Sequence, residues 1–161
     1  MELQVIDNFL PEYQFNSLRE LLTGAWFPWY YTDHSSQIGD GHGRYLHSVY
    51  NTGTGQITDY LPYFDNCQQK LGVKKLYRIL VNSFKPSFLF RQNTGFHTDN
   101  CPCPYVALFY IGTNNGYTAF EGGDKVKCVA NRMVVFDSSL SHAAVTCTNN
   151  PRRIAVNFNY E

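Results

Sequence analysis

From residue 75 onward the chain is a succession of short β-patterned runs: KLYRILVNSFK (75–85), SFLFRQN (87–93), YVALFYIG (105–112), YTAFEGG (117–123), KVKCVAN (125–131), RMVVFDSS (132–139), AAVTCT (143–148) and RRIAVNFNY (152–160). Turns rich in Gly, Asn, Asp and Pro separate them at short, regular spacing, a pattern that argues for an antiparallel sandwich or barrel. Twelve Tyr and 12 Phe point the same way, because aromatic side chains favour strands over long helices. At 161 residues the chain fits one domain with a core of real size, residues 1–161. Within it, 1–74 provide helical support and an aromatic and Gly-rich stretch, and 75–161 the barrel.

The first half has a different texture. Residues 3–6, LQVI, read as a short strand. The segment 7–24 reads as a helix beginning near Asp7 or Leu10, with Phe15, Leu18, Leu21 and Leu22 at helical spacing and Gly24 as its stop. An aromatic cluster at 26–31, a Gly-rich loop at 35–43 and a strand at 44–51, RYLHSVYN, follow. A second helix is expected across 56–72 from Ile57, Tyr60, Leu61, Phe64, Cys67 and Leu71, with Pro62 in its first turn.

Charge and cysteine usage exclude several function classes. Thirteen basic side chains balance 13 acidic ones, so no net field draws the chain to nucleic acid or an anionic membrane. Lys70, Lys74, Lys75 and Arg78 read as a solvated basic face. No apolar run approaches the ~20 residues of a bilayer span, and MELQVIDNFL has no leader pattern. Cys67, Cys101, Cys103, Cys128 and Cys147 are odd in number and scattered, which points to free thiols in a reducing, cytoplasmic compartment. A thiolate zinc site of Cys101, Cys103, Cys128 and Cys147 is a competing reading, although C-x-C followed by isolated cysteines does not match paired knuckles.

One stretch carries chemistry. In GFHTDN, His97 and Asp99 are spaced i, i+2, so on an extended backbone they point to one face and can grip one ion together. His142 follows RMVVFD after a Ser-rich turn and could arrive from a distant strand. Two histidines and a carboxylate are the ligand set of non-haem Fe(II) oxygenases, which leaves coordination positions open. His34, His42 and His47 read as loop or surface residues, with His47 half-buried on its strand. Asp137 and Glu121 are carboxylates near the site in sequence, and Asp137 reads as a turn or hydrogen-bonding residue and not as a ligand.

In order, HTD, VALFYIG, YTAF, MVVFDSS, SH and RRIAVNFNY resemble the Fe(II)- and 2-oxoglutarate-dependent dioxygenases, the prolyl-hydroxylase type in particular. The resemblance covers about residues 76–160. The segment VIDNFLP is similar to the helical support before the barrel, and the short length and FPWYY are similar to small phage-encoded members. The resemblance implies a double-stranded β-helix, a jelly-roll barrel with flanking helices, mostly β overall. It implies His97, Asp99 and His142 as the catalytic iron ligands, and Arg152 or Arg153 as the residue binding the distal carboxylate of 2-oxoglutarate.

Alternation chooses between the two arginines. Ile154, Val156 and Phe158 share one face of the last strand, suited to packing under helices, and Arg153, Ala155, Asn157 and Asn159 share the other, so Arg153 faces the pocket. Its planar fork also suits bidentate binding of a carboxylate. The resemblance gives Tyr110 a hydrogen bond to the same carboxylate. Leu108 shares its face, and Thr118 and Asn157 are further lining candidates by phase.

The expected function is then that of an Fe(II)- and 2-oxoglutarate-dependent oxygenase using O2. It would hydroxylate a C–H bond, foremost of a protein or peptide residue such as proline, with release of succinate and CO2. Its partners would be the small-molecule co-substrate and a peptide or protein, with neither nucleic acid nor membrane, in the cytoplasm, of the host cell if phage-encoded. Segment 26–31 and loop 35–43 are candidates to close over a peptide, while core packing is expected for at least one of Trp26 and Trp29. The alternative is a catalytically idle jelly-roll module that binds a metal or small ligand.

Overall fold

In a strand buried on both faces, alternate side chains must satisfy two different neighbours. The strand β11 (Arg153–Tyr160) is buried along its whole length, and the fold is arranged around its two faces. The structure, a computed structural model, describes residues 3–35, 40–99 and 101–161. Among these, β1 (Gln4–Ile6), β2 (Tyr30–Thr32), β3 (Arg44–Asn51), β4 (Gln56–Ile57), β5 (Leu76–Phe84), β6 (Tyr105–Tyr110), β9 (Arg132–Asp137) and β11 form one antiparallel sheet. Its order is β1-β9-β6-β11-β5-β3-β2, with β4 paired to β3. A smaller sheet of order β10-β7-β8 contains β7 (Tyr117–Phe120), β8 (Lys125–Lys127) and β10 (His142–Val145).

One face of the large sheet packs on α1 (Glu12–Thr23) and α2 (Asp65–Leu71). Ile154, Val156 and Phe158 meet Phe15, Leu18 and Leu22 from α1 and Phe64 and Cys67 from the second helical segment in one buried cluster. On the other face, Leu108, Tyr110, Val134, Phe136 and Ala155 pack with Phe120 and Val126 of the small sheet. Two sheets enclosing a second core, with helices covering the outer face of the larger one, make this a double-stranded β-helix of the mostly β class. Each fully buried large apolar side chain contributes about 1.5–3 kcal/mol relative to exposure.

Local sequence accounts for the element ends. The φ of Pro11 is −51°, its carbonyl accepts the first helical bond from Phe15 N–H, and Gly24 caps the far end of α1. The helix therefore starts after Asp7 and Leu10, because Asn131 holds Leu10 in place. The Asn131 amide accepts from Leu10 N–H at 2.9 Å and donates to Leu10 O at 2.8 Å.

The helix expected over 56–72 is shorter. Gln56–Ile57 instead pair with β3, Leu61–Phe64 form a 3₁₀ turn with Pro62 near its start, and only Asp65–Leu71 are α-helical. Gly72, at φ 68°, ends the helix in a left-handed cap with Val73 N–H bonded to Gln68 O. The strand expected at 87–93 is also absent. Pro86 interrupts the donors, and three consecutive apolar residues, Phe88, Leu89 and Phe90, offer no alternation and stand exposed.

Trp29 packs against the helix-side core, whereas Trp26 is 94% exposed. Of the Gly-rich loop 35–43, residues 36–39 lie outside the described residues. His47 is fully rather than half buried. The rings of Phe27, Tyr30 and Tyr60 lie 5.0, 5.9 and 5.1 Å from it, and its Nδ1–H donates to Pro28 O at 3.0 Å. Burial holds its pKa below the ordinary histidine value.

Phe158→Ala should lower unfolding free energy by about 3–5 kcal/mol in denaturant titration, and Trp26→Ala should change it by less than about 0.5 kcal/mol. His47 binds a proton more readily unfolded than folded. Its contribution to stability is therefore complete above about pH 6.5 and declines as pH falls through the lower folded pKa. Denaturation midpoints across pH 5–8 should fall less steeply towards acid in His47→Gln than in the parent.

Candidate metal centre

His97 lies in the segment between β5 and β6, and His142 opens β10. They are joined as an isolated antiparallel bridge: His97 N–H donates to His142 O at 3.0 Å and His142 N–H to His97 O at 2.9 Å. Directly opposed residues project side chains to the same side, and the two ring centroids are 4.8 Å apart. Asp99, two residues on, turns its carboxylate to the same point. Ligating atoms of His97, Asp99 and His142 all lie within 4.8 Å of one another.

Hydrogen bonds prepare each ligand. His97 Nδ1 contacts Gly95 O at 3.2 Å and His142 Nδ1 contacts Leu140 O at 3.1 Å. A carbonyl only accepts, so each Nδ1 carries a proton and Nε2 is the ring nitrogen left to face a metal. Burial, followed by repulsion from His97, lowers the pKa of His142 against the pull of Asp99 and favours the neutral, ligating ring.

The Asp99 carboxylate accepts from Arg78 Nη2 on Oδ1 at 3.0 Å, and from Asn157 Nδ2 and Asn159 Nδ2 on Oδ2 at 3.0 and 2.7 Å. Of about four lone-pair sites on a carboxylate, one remains, on Oδ1. Burial alone would raise the Asp99 pKa, but Arg78, the two asparagines and His142 hold it below the usual carboxylate value. The donor set thus offers two imidazoles and one ionised carboxylate, which suits a divalent transition metal.

A cavity opens beside the ligands. His97, Leu108, Thr118, His142, Arg153 and Asn157 all contribute to its wall, along with Arg44, Asn82 and Phe84. Arg153 is 2% exposed. Its Nε donates to Cys128 Sγ at 3.1 Å and its Nη2 to Thr118 Oγ1 at 3.1 Å, and the guanidinium lies over the Tyr110 ring. Among the described residues no carboxylate pairs with it. An uncompensated buried cation is costly, and an anionic ligand offsets that cost.

Arg152 points elsewhere, donating to Thr23 O at the end of α1 and lying over Trp29. Tyr110 is fully buried and sits behind the wall rather than in it, its hydroxyl 2.6 Å from Thr118 Oγ1. Burial pushes its pKa up to about 12, so the hydroxyl keeps its proton.

Several site residues escaped the sequence reading. Arg78 belongs to no solvated patch, since it holds Asp99. Lys70 likewise donates to Phe9 O and covers the Phe9 ring. The signal for Arg78 was present in β5, where Ile79 and Val81 face the helix side and Arg78 and Asn82 alternate with them. Asn159 stood in phase with Arg153. Arg44 and Cys128 gave no comparable signal. Among the described residues the cysteines are free thiols, and His97, Asp99 and His142 are the group with metal-binding geometry, so the zinc–thiolate reading finds no support.

No family model matches the sequence, and no curated protein shows significant sequence similarity to it. Solved structures do resemble it. A 2OG-Fe(II) oxygenase family oxidoreductase from Burkholderia pseudomallei superimposes with a TM-score of 0.69 at 14% identity, covering 99% of this chain and 84% of that one. A Trichoplax adhaerens prolyl hydroxylase, in complex with a hypoxia inducible factor oxygen degradation domain peptide fragment, gives 0.66 at 14% identity over 98% and 82%. A Pseudomonas putida prolyl-4-hydroxylase gives 0.64 at 17% identity over 99% and 92%.

Because Arg78 and Asn159 orient and ionise Asp99, Arg78→Gln or Asn159→Ala should weaken divalent-metal binding by about 10–100-fold, read by competition with a chelating dye. Arg152→Ala should leave it unchanged. The architecture that holds these groups is the double-stranded β-helix fold shared with the 2OG-Fe(II) oxygenases and prolyl hydroxylases.

Proposed function

We propose that this chain is an Fe(II)- and 2-oxoglutarate-dependent oxygenase that hydroxylates a C–H bond, with a protein or peptide residue such as proline as the nearest analogue of its substrate. The observation that carries the reading is a His–Asp–His cluster, whose two histidines line one cavity, together with a buried guanidinium in the same wall that has no acidic partner among the described residues. A metal-binding module without catalysis has no use for the second group. The solved structures of similar fold support the class, and the peptide bound to one of them supports a peptide substrate. The reading treats residues 1–161 as one oxygenase domain working in the cytoplasm. The balanced charge makes nucleic acid an unfavoured partner, and no helix among the described residues is long and apolar enough to cross a membrane.

His97, Asp99 and His142 would hold Fe(II), and Arg153 the far carboxylate of 2-oxoglutarate. Bound together with O2, these groups supply the oxidising power for C–H hydroxylation, with release of succinate and CO2. The protein contributes placement. Thr118 fixes the Arg153 fork, Tyr110 supports Thr118 and the face of the guanidinium, and Leu108 closes the wall beside them. Asn157 bridges the two regions, since it donates to Asp99 while lining the cavity. Such fixed placement of reacting groups is the chain's own share of catalysis.

Mixing the protein with Fe(II) and 2-oxoglutarate without oxygen should give the weak visible charge-transfer band of the chelate, and admitting oxygen should yield succinate. A protein that gives neither is the idle jelly-roll module instead. Asp99→Ala and His142→Ala should abolish succinate formation while near-UV circular dichroism is retained. Arg153→Ala should lose about 2–5 kcal/mol of 2-oxoglutarate affinity, and greater damage from Arg152→Ala would overturn the assignment.

A further inference from the structure

The cavity holds a second guanidinium that the reading above leaves without a task. Arg44, at the start of β3, lines the wall together with Asn82 and Phe84 of the neighbouring β5. Its Nη1 donates to Asn82 Oδ1 at 2.9 Å, which fixes the plane of the group. Among the described residues its Nε is buried without a hydrogen-bond partner, and the only hydrogen bond seen from its guanidinium is that of Nη1 to Asn82. The Nε and Nη2 hydrogens form one edge of the planar fork, the edge that matches the two oxygens of a carboxylate.

The local charges lead to the same conclusion. Arg44, Arg78 and Arg153 bring three cations to this region. Among the described residues Asp99 is ion-paired only with Arg78, and Asp40 bonds the backbone N–H groups of Ser35 and His42. Burial, and then repulsion from Arg78, pull the Arg44 pKa down to about 10 against the attraction of Asp40 and Asp99, so the group is strained yet still charged at neutral pH. A 2-oxoglutarate dianion engages Arg153 and the metal, and Arg44 is left over. Asn157 Oδ1, on the same wall, is likewise buried without a partner among the described residues and can accept from a donor on the same ligand.

Resting on the oxygenase reading, we infer that Arg44 recognises the primary substrate and that this substrate presents a carboxylate to it. The carboxylate has two sources, the C-terminus of a free amino acid or peptide and the side chain of an Asp or Glu beside the oxidised residue.

The test is ligand-observed NMR titration of the anaerobic Fe(II)–2-oxoglutarate complex, repeated with metal-free protein. The probes are N-acetyl amino acids with free carboxylates, the matching neutral amides, and N-acetyl-Asp and N-acetyl-Glu amides. At least one carboxylate should bind tenfold or more tightly than its neutral counterpart. Arg44→Gln should erase that preference while 2-oxoglutarate affinity stays within twofold. Arg44→Lys, which keeps the charge and loses the fork, should retain part of it and guards against a folding defect in the glutamine variant. Preference among free acids assigns a C-terminal carboxylate, and preference among the acidic amides assigns a side chain. Equal binding of acids and amides, or a preference that Arg44→Gln leaves intact, overturns the inference. If 2-oxoglutarate itself fails to bind, the oxygenase reading fails, and the metal-free titration still decides whether Arg44 selects carboxylates.

Discussion

The Asp99 carboxylate is the point on which the arrangement turns. It comes from an irregular segment, with little pairing of its own, and is held by groups on two central strands of the large sheet: Arg78 from β5, and Asn157 and Asn159 from β11. Each of those strands is anchored on its opposite face by the helix-side core. A loop side chain thereby inherits the rigidity of the sheet, which loops ordinarily lack. Three charge-assisted hydrogen bonds also keep the group ionised in a buried setting that would otherwise neutralise it.

The two-faced character of β11 and β5 explains how one sheet serves stability and chemistry at once. Every second residue, Ile79, Val81, Ile154, Val156 and Phe158, packs towards the helices. The residues between them, Arg78, Asn82, Arg153, Ala155 and Asn157, build the cavity or brace its ligands. A shift of one residue in register would exchange the two sets and bury the polar groups under the helices, so the hydrophobic pattern also fixes the site.

Period-two alternation was the part of the molecule most legible in the sequence. It identified the strands after residue 104, chose Arg153 over Arg152 for the cavity side of β11, and offered Leu108, Thr118 and Asn157 as lining, while Tyr110, set on the face of Leu108, lies behind the wall. It failed where alternation was lost. The run Phe88–Leu89–Phe90 is apolar without a face, and the 56–72 segment mixes a strand, a 3₁₀ turn and a short helix around Pro62. Arg78 was missed because it was read with neighbouring lysines as surface charge instead of by its phase in β5. Cys128 and Arg44 act through distant contacts, with Arg153 and Asn82, that no local pattern encodes.

The reciprocal backbone bonds between His97 and His142 set the backbone spacing beneath the two imidazoles independently of any ion. With the backbone spacing given, only side-chain rotation is left to adapt the pair to ions of similar radius. Discrimination among first-row metals at such a preformed pair then follows the intrinsic order in which Cu(II) and Zn(II) outrank Fe(II). The identity of any metal held there would accordingly depend on which ions are available around the chain as well as on the shape of the site.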